Sequence, residues 1–283
     1  MKFSKRSADV YVPDGAPIER ALARTTHLAV GAHQDDLEIM AYPGIMVCYR
    51  NPRKWFTGVV VTNGAGSPRS GAYEAVGDKE MRAVRRREQR SAARIGKYSA
   101  IIQLDYPSAQ VKDAKNKQVS TDLAEIFRAA RPEMVYLHNL ADKHDTHVAT
   151  ALRAIEALRS IEKSRMPRRV VGCEVWRDLD WLCDEDKVAL PASNHPELAI
   201  RLLRVFDSQI AGGKRYDLAT TGRRLSNATY RASHATDAER ALVYAVDLTE
   251  LVKKRKLSPV EYMGRFIERF KADVRTRIAR MVS

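Results

Sequence analysis

No stretch of this sequence approaches the roughly 18 to 20 consecutive apolar residues that cross a bilayer. The opening run Met1-Lys2-Phe3-Ser4-Lys5-Arg6 is basic but lacks the apolar segment of a signal peptide, so the expected compartment is the cytoplasm. Cysteine is scarce. Cys48, Cys173 and Cys183 are odd in number and far apart, which excludes a disulfide framework and a paired CxxC zinc site. Internal repeats, low-complexity tracts and an interdomain linker are also lacking. Acidic residues fall short of basic ones, 35 against 49, for a formal net charge of +14. Such a balance attracts nucleic acid, anionic membranes or acidic small molecules. Zinc-finger spacing, an RNP-like aromatic motif and a lysine-rich tail are all missing, so diffuse surface basicity is the simpler account and nucleic acid is not the expected partner.

What is present is an ordinary globular composition, 45% hydrophobic and 30% charged over 283 residues, enough to bury a substantial core. Residues 1–25 read as a polar arm or edge segment, and 26–283 as a single α/β domain. Apolar, β-branched runs near 26–32, 56–62, 101–104, 134–137, 170–176 and 242–246 read as strands. Between them lie helical patterns over 38–49 (bent at Pro43-Gly44), 78–95, 121–130, 148–161 and 196–210. Ser258-Pro259-Val260-Glu261 has the form of a capping box opening a last helix to about residue 280. Residues 212–227 show no clear period and read as loop with a short helix. This alternation predicts a mainly parallel sheet with helices on both faces.

Chemistry gathers at two places. His33-Gln34-Asp35-Asp36-Leu37-Glu38 follows the apolar run Leu28 to Ala32, and His144-Asp145-Thr146-His147 follows Met134 to Leu137 after a short polar loop. In open α/β sheets ligands bind beyond the carboxyl ends of the strands, where both clusters are expected. Three ligands drawn from imidazole and carboxylate, with a fourth position open to water, make a catalytic zinc site, and His33, Asp36 and His147 can supply them. Asp35, beside a ligand, is placed to act as general base, and His144 to donate to an oxyanion or protonate a leaving amine. The bland alternative is that Asp35 or Asp36 merely caps a helix.

Ala32-His33-Gln34-Asp35-Asp36-Leu37-Glu38 resembles the Ala-His-Pro-Asp-Asp-x-Glu signature of the LmbE/PIG-L family of metal-dependent N-deacetylases, and His144 to His147 is similar to its second His-containing element. The resemblance implies a Rossmann-like fold, a zinc ion (with Fe2+ as an alternative divalent metal), and removal of acetyl groups from N-acetylglucosamine units of small glycosides or glycolipids. It implies the ligand and base roles already assigned to His33, Asp36, His147 and Asp35, with His144 as oxyanion or acid group. It also singles out Arg85, in Arg85-x-x-Glu88, to face the sugar. Asp145 is expected to support the ligands from behind, and Glu38 to do the same or to start a helix. The family's proline is Gln34 here, and Asp145 stands one place earlier than the family's aspartate.

Around these clusters, 63–69 (Asn-Gly-Ala-Gly-Ser-Pro-Arg) fits neither a dinucleotide fingerprint nor a P-loop and reads as a substrate loop or a plain surface loop. Trp176 and Trp181 read as core anchors or as a sugar-stacking wall, and Lys214, Arg215, Arg223 and Arg224 as a solvated loop or a contact for an acidic substrate. The expected function is zinc-dependent deacetylation of a small N-acetylated substrate. The rivals are a metal-dependent hydrolase of another amide, an ester or a phosphoester, and a basic nucleic-acid-binding protein with a vestigial metal pocket. A homo-oligomer is left open.

Overall fold

In the computed structural model, which describes residues 1–282, eight strands form one sheet. They are β1 (Asp9–Tyr11), β2 (His27–Gly31), β3 (Phe56–Thr62), β4 (Ala100–Tyr106), β5 (Met134–His138), β6 (Arg169–Cys173), β7 (Val188–Pro191) and β8 (Leu242–Asp247). Their spatial order is β1-β4-β3-β2-β5-β6-β8-β7. The five central strands run parallel, while β1 joins β4, β8 joins β6 and β7 joins β8 antiparallel. The expected single α/β domain with a Rossmann-like, mainly parallel sheet is what the chain forms.

The central strands are buried on both faces, as parallel strands must be. Along β2 and β3, Leu28, Val30, Val59 and Val61 pack into one apolar cluster while Ala29, Phe56 and Val60 pack into the other. That alternation is the two-residue period of a strand expressed in two cores. Helices Gln118–Ala130 and Asp145–Ser160 cover the first face, and Tyr42–Cys48, Asp78–Ile95 and Pro196–Arg204 the second. No helix among the described residues is long and apolar enough to cross a membrane.

Two short strands escaped the sequence pattern. β1 is three residues long and pairs only with β4, so residues 1–25 supply an edge strand and the helix Ile18–Ala23 to the same domain rather than a free arm. Arg90 on the Asp78–Ile95 helix pairs with Asp9, and Arg82 pairs with Asp105 at 2.5 Å, so arginines of this helix stitch the edge together. Residues 212–227, read as loop with a short helix, fall mostly in the 14-residue helix Tyr216–Thr229. Its buried face carries Asp217, Thr220, Arg224 and Asn227, so the helical period is written in polar residues and a search for apolar ones passes over it.

The expected bend at Pro43 is a break. One helix ends at Met40 and the next starts at Tyr42. Pro43 has no N–H to offer the carbonyl of Ile39. The buried Arg224 guanidinium donates instead, to Ile39 O at 3.1 Å and Glu38 O at 2.7 Å.

His27 opens β2 in a buried position, where burial and Lys54 lower its pKa to about 4. A histidine with a lowered folded pKa takes up its proton in the unfolded chain first, so its contribution to stability is complete above pH 6.5 and is lost as pH falls toward 4. Between pH 7 and 5 this group alone is expected to remove roughly 2 kcal/mol. Denaturant titrations of wild type and His27→Gln at both pH values check this, the variant losing less on acidification; equal losses would contradict it.

Candidate metal centre

The order β3-β2-β5 places the topological switch point between β2 and β5, two adjacent parallel strands whose connections depart to opposite sides, and there a crevice opens beyond their carboxyl ends. Chain leaving β2 delivers His33, Asp35 and Asp36; chain leaving β5 delivers His138, His144 and His147. Asp35 sits at φ +96°, ψ −31°, a conformation that costs a non-glycine residue about 1–3 kcal/mol and that the surroundings must hold. The buried side chain of Gln89 holds it, accepting the Asp35 N–H at 3.3 Å. Asp35 occupies the N-cap position of the helix Asp36–Met40, yet no side-chain capping bond is made there. Asp36 Oδ2 turns back to accept the His33 N–H at 2.7 Å. Helix capping therefore does not account for either carboxylate.

The three expected ligands come together. His33 Nδ1 lies 3.2 Å from His147 Nε2, and Asp36 places Oδ2 3.4 Å from His33 Nδ1 and Oδ1 3.4 Å from His147 Nε2. Ligand atoms about 2.0–2.1 Å from a tetrahedral zinc ion lie about 3.3–3.4 Å apart, so these separations fit one shared cation. Asp36, His138 and His147 likewise hold their ligand atoms within 4.8 Å of one another, as do His33, His144 and His147. Sequence reasoning passed over His138, which follows the apolar run of β5 as His33 follows that of β2; a strand read one residue longer would have reached it. Its Nε2 accepts the Ala32 N–H at 3.0 Å and its ring stacks on His147 at 3.9 Å. With that lone pair engaged, His138 braces the site, and His33, Asp36 and His147 remain the set with converging free donors.

Electrostatics favour the ligating forms. Burial lowers the His147 pKa to about 4, keeping the imidazole neutral. Burial alone would raise Asp36, but His147 and His138 beside it outweigh burial and hold the carboxyl well below the usual range. Asp35 behaves oppositely. Its burial raises the pKa to about 7, with the Arg85 guanidinium, 3.5 Å from Oδ2, pulling the other way. Two adjacent carboxyls driven apart in this way are suited to different tasks, one to bind a cation and one to exchange a proton near neutral pH. His144 is lowered by burial and by His33, so it too is neutral. Its Nδ1 accepts the Thr146 N–H at 3.2 Å, which puts the ring proton on Nε2.

Asp145 is exposed at the start of the helix Asp145–Ser160 and contacts no ligand, so the supporting role expected of it is not what the structure shows. Asp142 stands in that place. It is buried, with Oδ2 3.5 Å from His147 Nδ1, and it accepts the N–H groups of His144 at 3.0 Å and Trp176 at 3.1 Å. A carboxylate behind a ligating imidazole fixes its tautomer and basicity. Asp142→Ala is expected to weaken zinc affinity by about 10- to 100-fold, whereas Asp145→Ala leaves it within about two-fold. Competitive zinc titration against a chelating dye separates the two; equal effects would contradict the assignment. Glu38 does lie behind the site, accepting from Gln89 at 2.9 Å and Tyr98 at 2.7 Å, so Gln89 bridges its carboxyl to the Asp35 amide. Burial raises Glu38 to about 8.

A cavity of about 710 Å³ opens over the centre, lined by His33, Asp35, Asp36, Arg85, His144 and Trp176 among others. Arg85 reaches it because Met81, Arg85, Gln89 and Ala92 form one buried stripe of the Asp78–Ile95 helix. Its Nη2 donates to Gln34 O at 2.5 Å, while Nε and Nη1 are buried without protein partners. Gln34, standing where the family has proline, is tied by its side chain to Thr62 O at 3.3 Å and Gln103 Oε1 at 3.2 Å, fixing the loop to the end of β3 and the middle of β4 by hydrogen bonds. Gly64 passes so close that a Cβ there would lie 2.5 Å from Gln34 Oε1, and its φ of +70° also favours glycine. The glycine-containing loop thus lines the cavity through Gly64, Gly66 and Ser67. The two tryptophans divide: Trp176 lines the cavity, and Trp181 packs edge-on against Phe270.

Fold and site together define an α/β protein of the Rossmann-like type with a cluster of histidine and aspartate side chains at its switch point that could hold a divalent metal ion. Residues 28–158 match the family profile described as PIG-L, GlcNAc-PI de-N-acetylase. No curated protein sequence matches the chain significantly. Among solved structures, a conserved protein of Thermus thermophilus is similar at 18% identity and TM-score 0.62, covering 78% of this chain and 94% of its own. The 4-carboxy-2-hydroxymuconate hydratase of Pseudomonas putida is similar at 18% identity and TM-score 0.60, covering 79% and 96%. The N,N'-diacetylchitobiose deacetylase of Pyrococcus horikoshii follows at 18% identity and TM-score 0.59, covering 81% and 85%.

Proposed function

We propose that the chain is a metal-dependent N-deacetylase acting on an N-acetylglucosamine-type amino sugar or related small glycoside. The observation that carries the reading is the convergence of His33, Asp36 and His147 at 3.2–3.4 Å beside a buried Asp35 that opens on the cavity. The family match over 28–158 and the fold shared with a chitobiose deacetylase point the same way. The donor set suits zinc and would also accept Fe2+.

His33, Asp36 and His147 would hold the ion, which supplies Lewis-acid polarisation of the amide carbonyl and a lowered pKa for water. Asp35, with a pKa near neutrality, accepts a proton from the attacking water and returns it to the departing amine. Gln89, itself oriented by Glu38, holds the Asp35 backbone in its left-handed conformation, so the carboxyl meets the substrate already oriented. His144 presents its Nε2–H as a neutral donor to the developing oxyanion; with Nδ1 engaged by the Thr146 amide, a donor role suits it better than an acid role. The free Nε and Nη1 groups of Arg85 offer donors to sugar hydroxyls, and the Trp176 ring offers an apolar face.

Purified protein loaded with zinc or iron and assayed for acetate release from N-acetylglucosamine glycosides tests this. Acetate release dependent on the metal is expected. Because a hydratase shares the fold, the panel includes an unsaturated hydroxy acid, and its hydration without any deacetylation would overturn the reading.

A further inference from the structure

The last helix, Pro259–Val282, packs on its own chain mainly at its start. Its buried residues are Tyr262, Met263 and Phe266, and none of the described residues from Ile267 onward is buried. Phe270 meets the body edge-on at Trp181, and Arg269 pairs with Asp186 at 2.5 Å. Beyond these the ion pairs of the helix are internal, Lys271 with Glu268 and Arg277 with Asp273. Yet this part carries an apolar pattern. Ile267, Phe270, Val274, Ile278 and Met281 are each between 36% and 84% exposed. Steps of about 100° per residue put all five within an arc of about 80°. Helices in proteins draw most of their stability from packing such a face rather than from propensity, and here most of the face has no counterpart among the described residues.

The spacing of the stripe says what fits it. Along the chain its steps are three, four, four and three residues, so it reads the same in both directions about Val274. Laid antiparallel on a second copy, Val274 meets Val274, Phe270 lies level with Ile278, and Ile267 with Met281, over about 21 Å at 1.5 Å per residue. Every layer is then apolar from both sides, the self-complementarity that a twofold interface demands. Charge agrees beside the axis. Asp273 and Arg277 share one flank of the stripe, ion-paired at 3.0 Å within the chain, and the twofold sets each Asp273 beside the partner's Arg277. The acids Glu268 and Asp273 next to the stripe also disfavour an anionic lipid surface, whose helices carry Lys and Arg there.

We infer that two copies of the chain pair through this face, antiparallel about a twofold axis at Val274. The pairing is independent of the deacetylase reading. The other flank, Lys271 and Arg275, and the net charge of +14 on each copy repel, so apolar contact drives the association and salt strengthens it.

Light scattering of the purified full chain after size exclusion tests the pairing. At micromolar concentration the mass is expected at twice that of the chain, and the dimer fraction to rise between low salt and about 1 M, where the Debye length is about 3 Å. V274E/I278E, two exposed substitutions, should run as a monomer with unchanged helicity by circular dichroism, its dissociation constant raised about 100-fold or more. Cross-linking fixes the geometry in a Cys183→Ser background, which removes the one part-exposed native thiol. On the axis, two copies of Val274→Cys come within disulfide reach, whereas Ile278→Cys stands about 12 Å along the helices from its counterpart. Oxidation should therefore give a covalent dimer with the first and not with the second. A monomeric wild type, a dimer unmoved in V274E/I278E, or equal cross-linking at both positions would each overturn the pairing. So would a monomeric wild type that sediments with phosphatidylserine vesicles while the double variant does not, which would give the face to a membrane.

Discussion

Asp35→Asn is expected to lower kcat/KM for deacetylation by about 100- to 10,000-fold, the range associated with a positioned general base, while leaving bound zinc near the wild-type level. The substitution is nearly isosteric, and asparagine tolerates the left-handed backbone at φ +96° better than most residues. The Gln89 contact to the backbone amide survives, as does the Asp36 bond to the His33 amide. What is lost is the group whose pKa, raised to about 7 by burial, lets it both take and return a proton at neutral pH. Steady-state kinetics with metal analysis of the same sample check this. A variant with full zinc and near-normal turnover would remove Asp35 from the mechanism.

His147→Ala should act on the metal itself. The side chain is fully buried, its Nε2 faces both His33 and Asp36, and its Nδ1 faces Asp142. Removing it leaves two of the three proposed ligands, so zinc affinity is expected to fall by more than the roughly 10- to 100-fold that follows loss of an orienting partner alone. Activity at micromolar zinc should vanish with the metal. Titration with a competing chelator distinguishes this from a catalytic defect, because an affinity equal to wild type would show that His147 is not a ligand.

The sheet and the gathering of His33, Asp36 and His147 were legible in the sequence because both are written in local patterns. Five apolar runs gave the parallel core, and His33, Asp36 and His147 stood at their carboxyl ends. The supporting residues were not legible, for a physical reason. Gln89 is a polar member of a buried helical stripe, and Arg224 lies on a helix whose buried face is polar, so each contradicts the hydrophobic period that locates such elements. Asp142 sits in a loop, where its distance from His147 is set by how β5 and the next helix pack, which no spacing reveals. Asp145 looked better placed by its sequence neighbours and points elsewhere. β1 and β7, three and four residues long, take their conformation from the strands they pair with.

The requirement that defines the proposed mechanism is one divalent ion, held by His33, Asp36 and His147 beside Asp35. Its most direct test is to strip the protein with a chelator and add zinc back in steps while measuring bound ion and acetate released from an N-acetylglucosamine glycoside. The predicted result is no activity in the stripped protein and a linear return that saturates near one ion per chain. Acetate release that persists without metal, or a stoichiometric ion that restores no hydrolysis, would contradict it.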